Sequence, residues 1–155
     1  MIKRSSVTVS VCAGVLVAAL IFGSRGGADA RTVAAPRAAK TVEVKMVNNS
    51  GGTPMTNRFE PANITIQVGD TVKWVATTGS HNVAFWKDSI PAGAEPLIMK
   101  AMEADKDTVR ALQTHRYPTA GTGFTMVFAG FPKGVYKFFC QPHLMRMMVG
   151  TITVE

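Results

Sequence analysis

Cysteine is nearly absent: the 155 residues hold two, Cys12 and Cys140. Cys12 lies inside an apolar N-terminal run, so the rest of the chain has a single thiol and cannot form a disulfide of its own. Stability must therefore come from one hydrophobic core, which a chain of this length can bury. Charged residues are also sparse, at 17%. No long Lys/Arg run interleaved with stacking aromatics occurs, which argues against nucleic-acid binding. No internal repeat is visible. Cys140 beside a histidine would suit a nucleophile and its base, but no third member and no oxyanion-hole motif accompany them. An enzyme is not expected.

What is present begins with an address. Lys3 and Arg4 precede the uncharged apolar run Val7 to Phe22, and Ala28-Asp29-Ala30 offers small residues for cleavage after Ala30. That is the pattern of a secretory signal over residues 1–30. A retained N-terminal anchor is the alternative, although the run is short for a span of about 20 residues. The expected location is an exported compartment: a periplasm, a thylakoid-lumen-like space or the exterior. Residues 31–155 keep 14 Lys+Arg against 9 Asp+Glu, a net charge of +5 that favours acidic partners.

Residues 31–40 are small, basic and aperiodic, a flexible lead-in to a domain over 41–155. Thr41 to Val47 alternates, with Val42, Val44 and Met46 inward. Asn48 to Pro54 is a turn cluster. Phe59 to Val68 alternates through Ile64, Ile66 and Val68; after Gly69-Asp70, Thr71 to Val75 continues with Val72 and Trp74 on one face. Val83 and Phe85 resume the pattern beyond Gly79. Phe124 to Phe128, Val135 to Phe139 and Met148 to Val154 supply the remaining strands. Short alternating strands with Gly/Asp/Pro punctuation predict an all-β antiparallel sandwich of seven to eight strands. Between Ala94 and Tyr117 the mixture of Leu97, Met99, Met102, Val109 and Leu112 with acidic and basic residues predicts a helical insertion of one or two turns.

The chemistry concentrates in Cys140-Gln141-Pro142-His143-Leu144-Met145-Arg146-Met147-Met148. A thiol, an imidazole and thioethers lie within nine residues. A second imidazole, His81, follows a strand far upstream. Two imidazoles, a thiolate and a weak thioether are the donor set of a blue-copper centre. The soft sulfur donors suit Cu(I) and the imidazoles also suit Cu(II), so one site serves both states. Two residues between Cys140 and His143 let one loop aim both side chains at one point, and Pro142 stiffens that bend. Taken singly, each residue suits ordinary packing; the joint pattern points to a single copper ion. Zinc is disfavoured because Met is a poor zinc ligand.

The sequence resembles the plastocyanin/azurin-like cupredoxins, and among them the plastocyanins. The matching segments are Val68 to Trp74, His81-Asn82-Val83-Ala84-Phe85 with Asp88 to Gly93, and Gly134 to His143 with Met148-Val149-Gly150. The resemblance implies a cupredoxin-like Greek-key sandwich holding one type 1 copper through His81, Cys140, His143 and Met148. It implies a backbone N–H at Asn82 directed at the cysteine sulfur, and electron passage through His143 with Leu144 and Met145 around it. Phe139 takes the place of a surface aromatic. Redox proteins such as a cytochrome, an oxidase or a reductase, some in membrane-associated complexes, are the implied partners, docking near His143. Met147 replaces the family's glycine and competes with Met148 on local grounds; spacing favours Met148. Residues 95–122 form a longer stretch than the plastocyanin counterpart, and its His115 is expected to be solvated rather than part of a second metal site. The extra thioethers Met145 and Met147 motivate a second reading, a periplasmic copper carrier or storage protein using the same ligands.

Overall fold

The computed structural model describes residues 37–49, 56–107 and 110–155. The expected signal (1–30), the first part of the lead-in and most of the Asn48 to Pro54 turn lie outside the described residues. Among the described residues, ten strands form two sheets. The first sheet contains β1 (Thr41–Asn49), β2 (Thr56–Glu60), β4 (Thr71–Ala76) and β8 (Gly123–Val127), in the order β2-β1-β4-β8. The second contains β3 (Asn63–Ile66), β5 (Ala84–Phe85), β6 (Lys106–Asp107), β7 (Arg110–Thr114), β9 (Gly134–Phe139) and β10 (Val149–Val154), in the order β3-β10-β9-β5-β7-β6.

The alternation seen in the sequence sets the faces. Val44, Met46, Val72, Trp74, Phe124, Met126, Tyr136 and Phe138 all point between the sheets and are buried. Trp74 is the hub: its ring stacks on Phe124 at 5.8 Å and meets the edges of Phe138 at 5.6 Å and Phe85 at 6.3 Å. Such aromatic pairs add about 0.5–1.5 kcal/mol each beyond the area they bury. Tyr136 continues the core outward, and its hydroxyl donates to the Pro132 carbonyl at 2.6 Å.

Three details differ from the expectation. The sandwich is mixed rather than antiparallel throughout, because β1 runs parallel to β4 and β3 parallel to β10. The stretch Phe59 to Val68 is two strands in different sheets, divided at Pro61, whose missing N–H cannot serve a ladder. Its last residue, Val68, is exposed. The segment read as helical is a helix only over Ala94–Ala101 (α1), which buries Ala94 and Ile98. Beyond it the chain turns back into β6 and β7. Gln113 of β7 pairs with Ala84 of β5, which carries the second sheet to the edge of the segment that follows His81.

Candidate metal centre

The centre is assembled from three pieces of backbone. Strand β9 delivers Cys140 with the same parity as Tyr136 and Phe138, so its side chain is fully buried on the core side. Two short 3₁₀ turns follow over Gln141–Arg146, joined by a kink at His143 (φ −117°, ψ 16°), with Pro142 in the first of them. In that geometry residues three apart fall on one side of the turn. The His143 N–H donates to the Cys140 carbonyl at 3.1 Å, which closes the bend.

His81 arrives from the opposite direction. Gly79 takes φ +77°, and a Cβ there would lie 2.8 Å from the Asn48 side chain, so the turn before His81 needs glycine. The neighbouring Thr78 is tied to β1: its hydroxyl donates to the Asn48 carbonyl and accepts from the Asn48 N–H, both at 2.8 Å. The Thr78 carbonyl in turn receives the Nε2–H of His81 at 2.7 Å. That bond fixes the ring and leaves Nδ1 as the lone-pair nitrogen.

Three ligating atoms meet. Cys140 Sγ lies 3.6 Å from His81 Nδ1 and 3.4 Å from His143 Nδ1, and the two nitrogens are 3.2 Å apart. A point equidistant from all three lies about 2 Å from each, close to the length of a metal–imidazole bond. The atoms therefore already stand where a first-row ion needs them. His81 and Cys140 are buried and His143 is partly so. Burial holds the His81 imidazole below its usual pKa against the opposing Thr78 hydrogen bond. Burial also lowers His143, helped by the charges of His81, Arg146 and Arg116. Both rings are thus neutral and able to ligate near pH 7. Burial pushes the Cys140 thiol up, while the backbone N–H groups of Asn82 and His143 and the charge of Arg116 pull it down. These groups stabilise a thiolate once a cation displaces the proton.

Around the ligands lies a supporting shell. The Asn82 side-chain oxygen accepts the Gln141 N–H at 2.8 Å and so joins the two ligand segments. Thr114 accepts the Val83 N–H through its hydroxyl at 3.1 Å and donates its own N–H to the Val83 carbonyl at 2.9 Å. His81 bridges to Tyr117, whose N–H reaches the His81 carbonyl at 2.7 Å. Residues 114–117 of the long stretch therefore brace His81. Sequence reasoning did not find Thr78, Thr114 or Arg116; their contributions come from single hydroxyl and backbone hydrogen bonds and a distant charge, which leave no periodic signal.

Of the two competing methionines, Met148 is fully buried and Met147 is 75% exposed at φ +56°. The Met148 carbonyl accepts from Cys140 N at 3.0 Å, and its N–H donates to His143 O at 3.3 Å. Its backbone is thus tied to two members of the cluster. His115 stands apart: its ring is exposed, tilts against Tyr117 and hydrogen-bonds Asp105. Phe139 faces the other side of β9 and stacks on Trp86 at 4.4 Å, a pairing the sequence did not suggest.

Comparison with known proteins agrees with this geometry. Residues 42–155 match the family of copper binding proteins described as plastocyanin/azurin. The chain is 38% identical over 123 residues to plastocyanin of Prochlorothrix hollandica, covering 79% of each chain. It is 35% identical over 116 residues to plastocyanin of Scenedesmus fuscus, covering 74% of this chain and 99% of that one. Among solved structures, oxidized plastocyanin from Dryopteris crassirhizoma aligns with a TM-score of 0.53 at 25% identity, over 74% of this chain and all of that one.

Proposed function

Because the chain belongs to the copper-binding plastocyanin/azurin family, we propose that His81, Cys140, His143 and Met148 hold one type 1 copper ion. On this reading the protein is an exported electron carrier with no substrate of its own. The observation that carries the proposal is the triangle of one sulfur and two Nδ1 atoms, closed to within 3.6 Å.

Copper, when bound, supplies a one-electron couple between Cu(II) and Cu(I). The chain supplies everything that keeps the couple fast. The Thr78 carbonyl holds the His81 ring, and Asn82 locks the Gln141 amide beside Cys140, so neither ligand segment is free to rearrange with the redox state. The N–H groups of Asn82 and His143 share the negative charge of the sulfur. Met148, buried on the far end of the same loop, supplies the weak thioether. His143 is the one imidazole of the pair that is not fully buried, which makes it the port.

The partner surface follows from charge. Arg116 and Arg146 both act on His143, and the net charge beyond residue 30 is positive. An acidic redox protein such as a cytochrome, docking over His143, fits that field. The copper-loaded protein should cycle reversibly by one electron and keep its metal. Exchange with an acidic cytochrome should slow as salt is raised. Loss of copper on each reduction, or exchange indifferent to salt and to replacement of the rim arginines, would contradict the proposal.

A further inference from the structure

Of the seven methionines among the described residues, Met46, Met102, Met126 and Met148 are at most 1% exposed and Met99 on α1 is 39% exposed. Met145 and Met147 are the most exposed, at 96% and 75%. Both lie on the 3₁₀ loop between His143 and Met148. Their positions bring no folding advantage. An apolar side chain that exposed buries almost nothing. Met147 also sits in the left-handed region at φ +56°, which glycine adopts freely and residues with a Cβ adopt rarely. Non-glycine residues in that region concentrate at functional sites.

We propose that the thioethers of Met145 and Met147 form an entry site that captures Cu(I) from solution or a donor and passes it inward to His143 and Cys140. The inference rests on the copper reading above. Entry is needed because His81 and Cys140 are fully buried, so an incoming ion must cross the His143 rim. Thioethers are soft neutral donors that favour Cu(I) over Zn(II) and Cu(II). A pair of them at the mouth therefore selects the metal as well as conducting it. The transfer is a ligand exchange without change of oxidation state. The donor's bonds to Cu(I) are replaced by thioether sulfur, and then by imidazole and sulfur as the Cys140 thiol gives its proton to solvent.

The test compares metal-free wild type with the double variant Met145→Leu/Met147→Leu, which keeps size and apolarity and removes both sulfurs. Cu(I) is offered anaerobically as its bicinchoninate complex, and loss of that complex's colour gives the loading rate. The double variant should load at least about tenfold more slowly from Cu(I), as fast as wild type from a Cu(II) salt, and to the same final occupancy and visible spectrum. Met147→Gly, which relieves the backbone, should slow Cu(I) loading without loss of stability. Equal Cu(I) rates would overturn the entry site, as would a slowing that is the same for Cu(II). Slower electron exchange with unchanged loading would also overturn it and make the rim a docking face. A wild type that loads no copper from either source would sink the metal reading itself, and the entry site with it.

Discussion

Gly150→Ala is the substitution for which the structure gives the sharpest cost. Gly150 lies directly opposite Phe138 in the β10–β9 ladder. A Cβ on Gly150 would stand 2.3 Å from Phe138 Cζ and 2.6 Å from the Ala62 carbonyl oxygen. Neither neighbour can withdraw freely. The Phe138 ring is clamped by Phe59 at 4.7 Å and Trp74 at 5.6 Å, and the Ala62 carbonyl accepts the Thr151 N–H at 2.9 Å. Overpacking a fixed core costs about 1–3 kcal/mol, and two immobile neighbours place this case near 3. Urea unfolding of the metal-free protein should show the loss as a midpoint lowered by about 1 M or more. Gly93→Ala is the control: a Cβ there meets nothing within 4 Å and faces only the backbone cost of φ +80°, about 1–2 kcal/mol. A Gly150→Ala loss below about 0.5 kcal/mol, the size of an ordinary surface change, would refute the reasoning.

Other outcomes follow from the supporting shell. Asn82→Ala leaves the Gln141 N–H without its partner in a part-buried joint and should cost about 1–2 kcal/mol by denaturation; a neutral result would mean that Asn82 does not tie the two segments together. Asp70 accepts from the backbone N–H groups of Lys40 and Gln67 and from Arg37, which hold its carboxyl down to about 2 from 3.8. Its folded value is below its unfolded one, so its contribution is full above about pH 4 and is lost as pH falls toward 2. The difference in melting temperature between wild type and Asp70→Asn should therefore shrink over that window and persist at neutral pH. In the metal-free protein His81 and His143 are both held below 6.5. The unfolded chain then binds protons more readily, so acid should destabilise the metal-free form from about pH 6.5 downward, and NMR titration of both rings should show the depressed values directly.

How much of this was readable in the residues differs by kind of signal. Side-chain parity was: Trp74, Tyr136, Phe138 and Cys140 face inward as their alternation requires. The spacing of Cys140 and His143 was legible too, because a tight turn after a strand can bring two such side chains together and the structure does so. Partner choice between strands was not. Alternation says which face a residue takes and nothing of which strand lies beside it, so the parallel pairs β1–β4 and β3–β10 carried no mark. Strand β7 escaped because its two buried residues, Gln113 and Thr114, are polar and lie on opposite faces, so no apolar alternation marks it. What holds it is the backbone ladder to β5 and the Thr114 hydroxyl on Val83. The Trp86–Phe139 stack joins residues far apart in the chain through two-dimensional adjacency in the sheet, which no local pattern encodes.

X-ray absorption at the copper edge of the loaded protein tests the central claim most directly. The loaded protein should show one copper per chain with two nitrogen neighbours and one short sulfur neighbour, and that short sulfur should disappear in Cys140→Ser. A shell of nitrogen and oxygen alone in the wild-type protein, or a short sulfur neighbour that survives in Cys140→Ser, would contradict it.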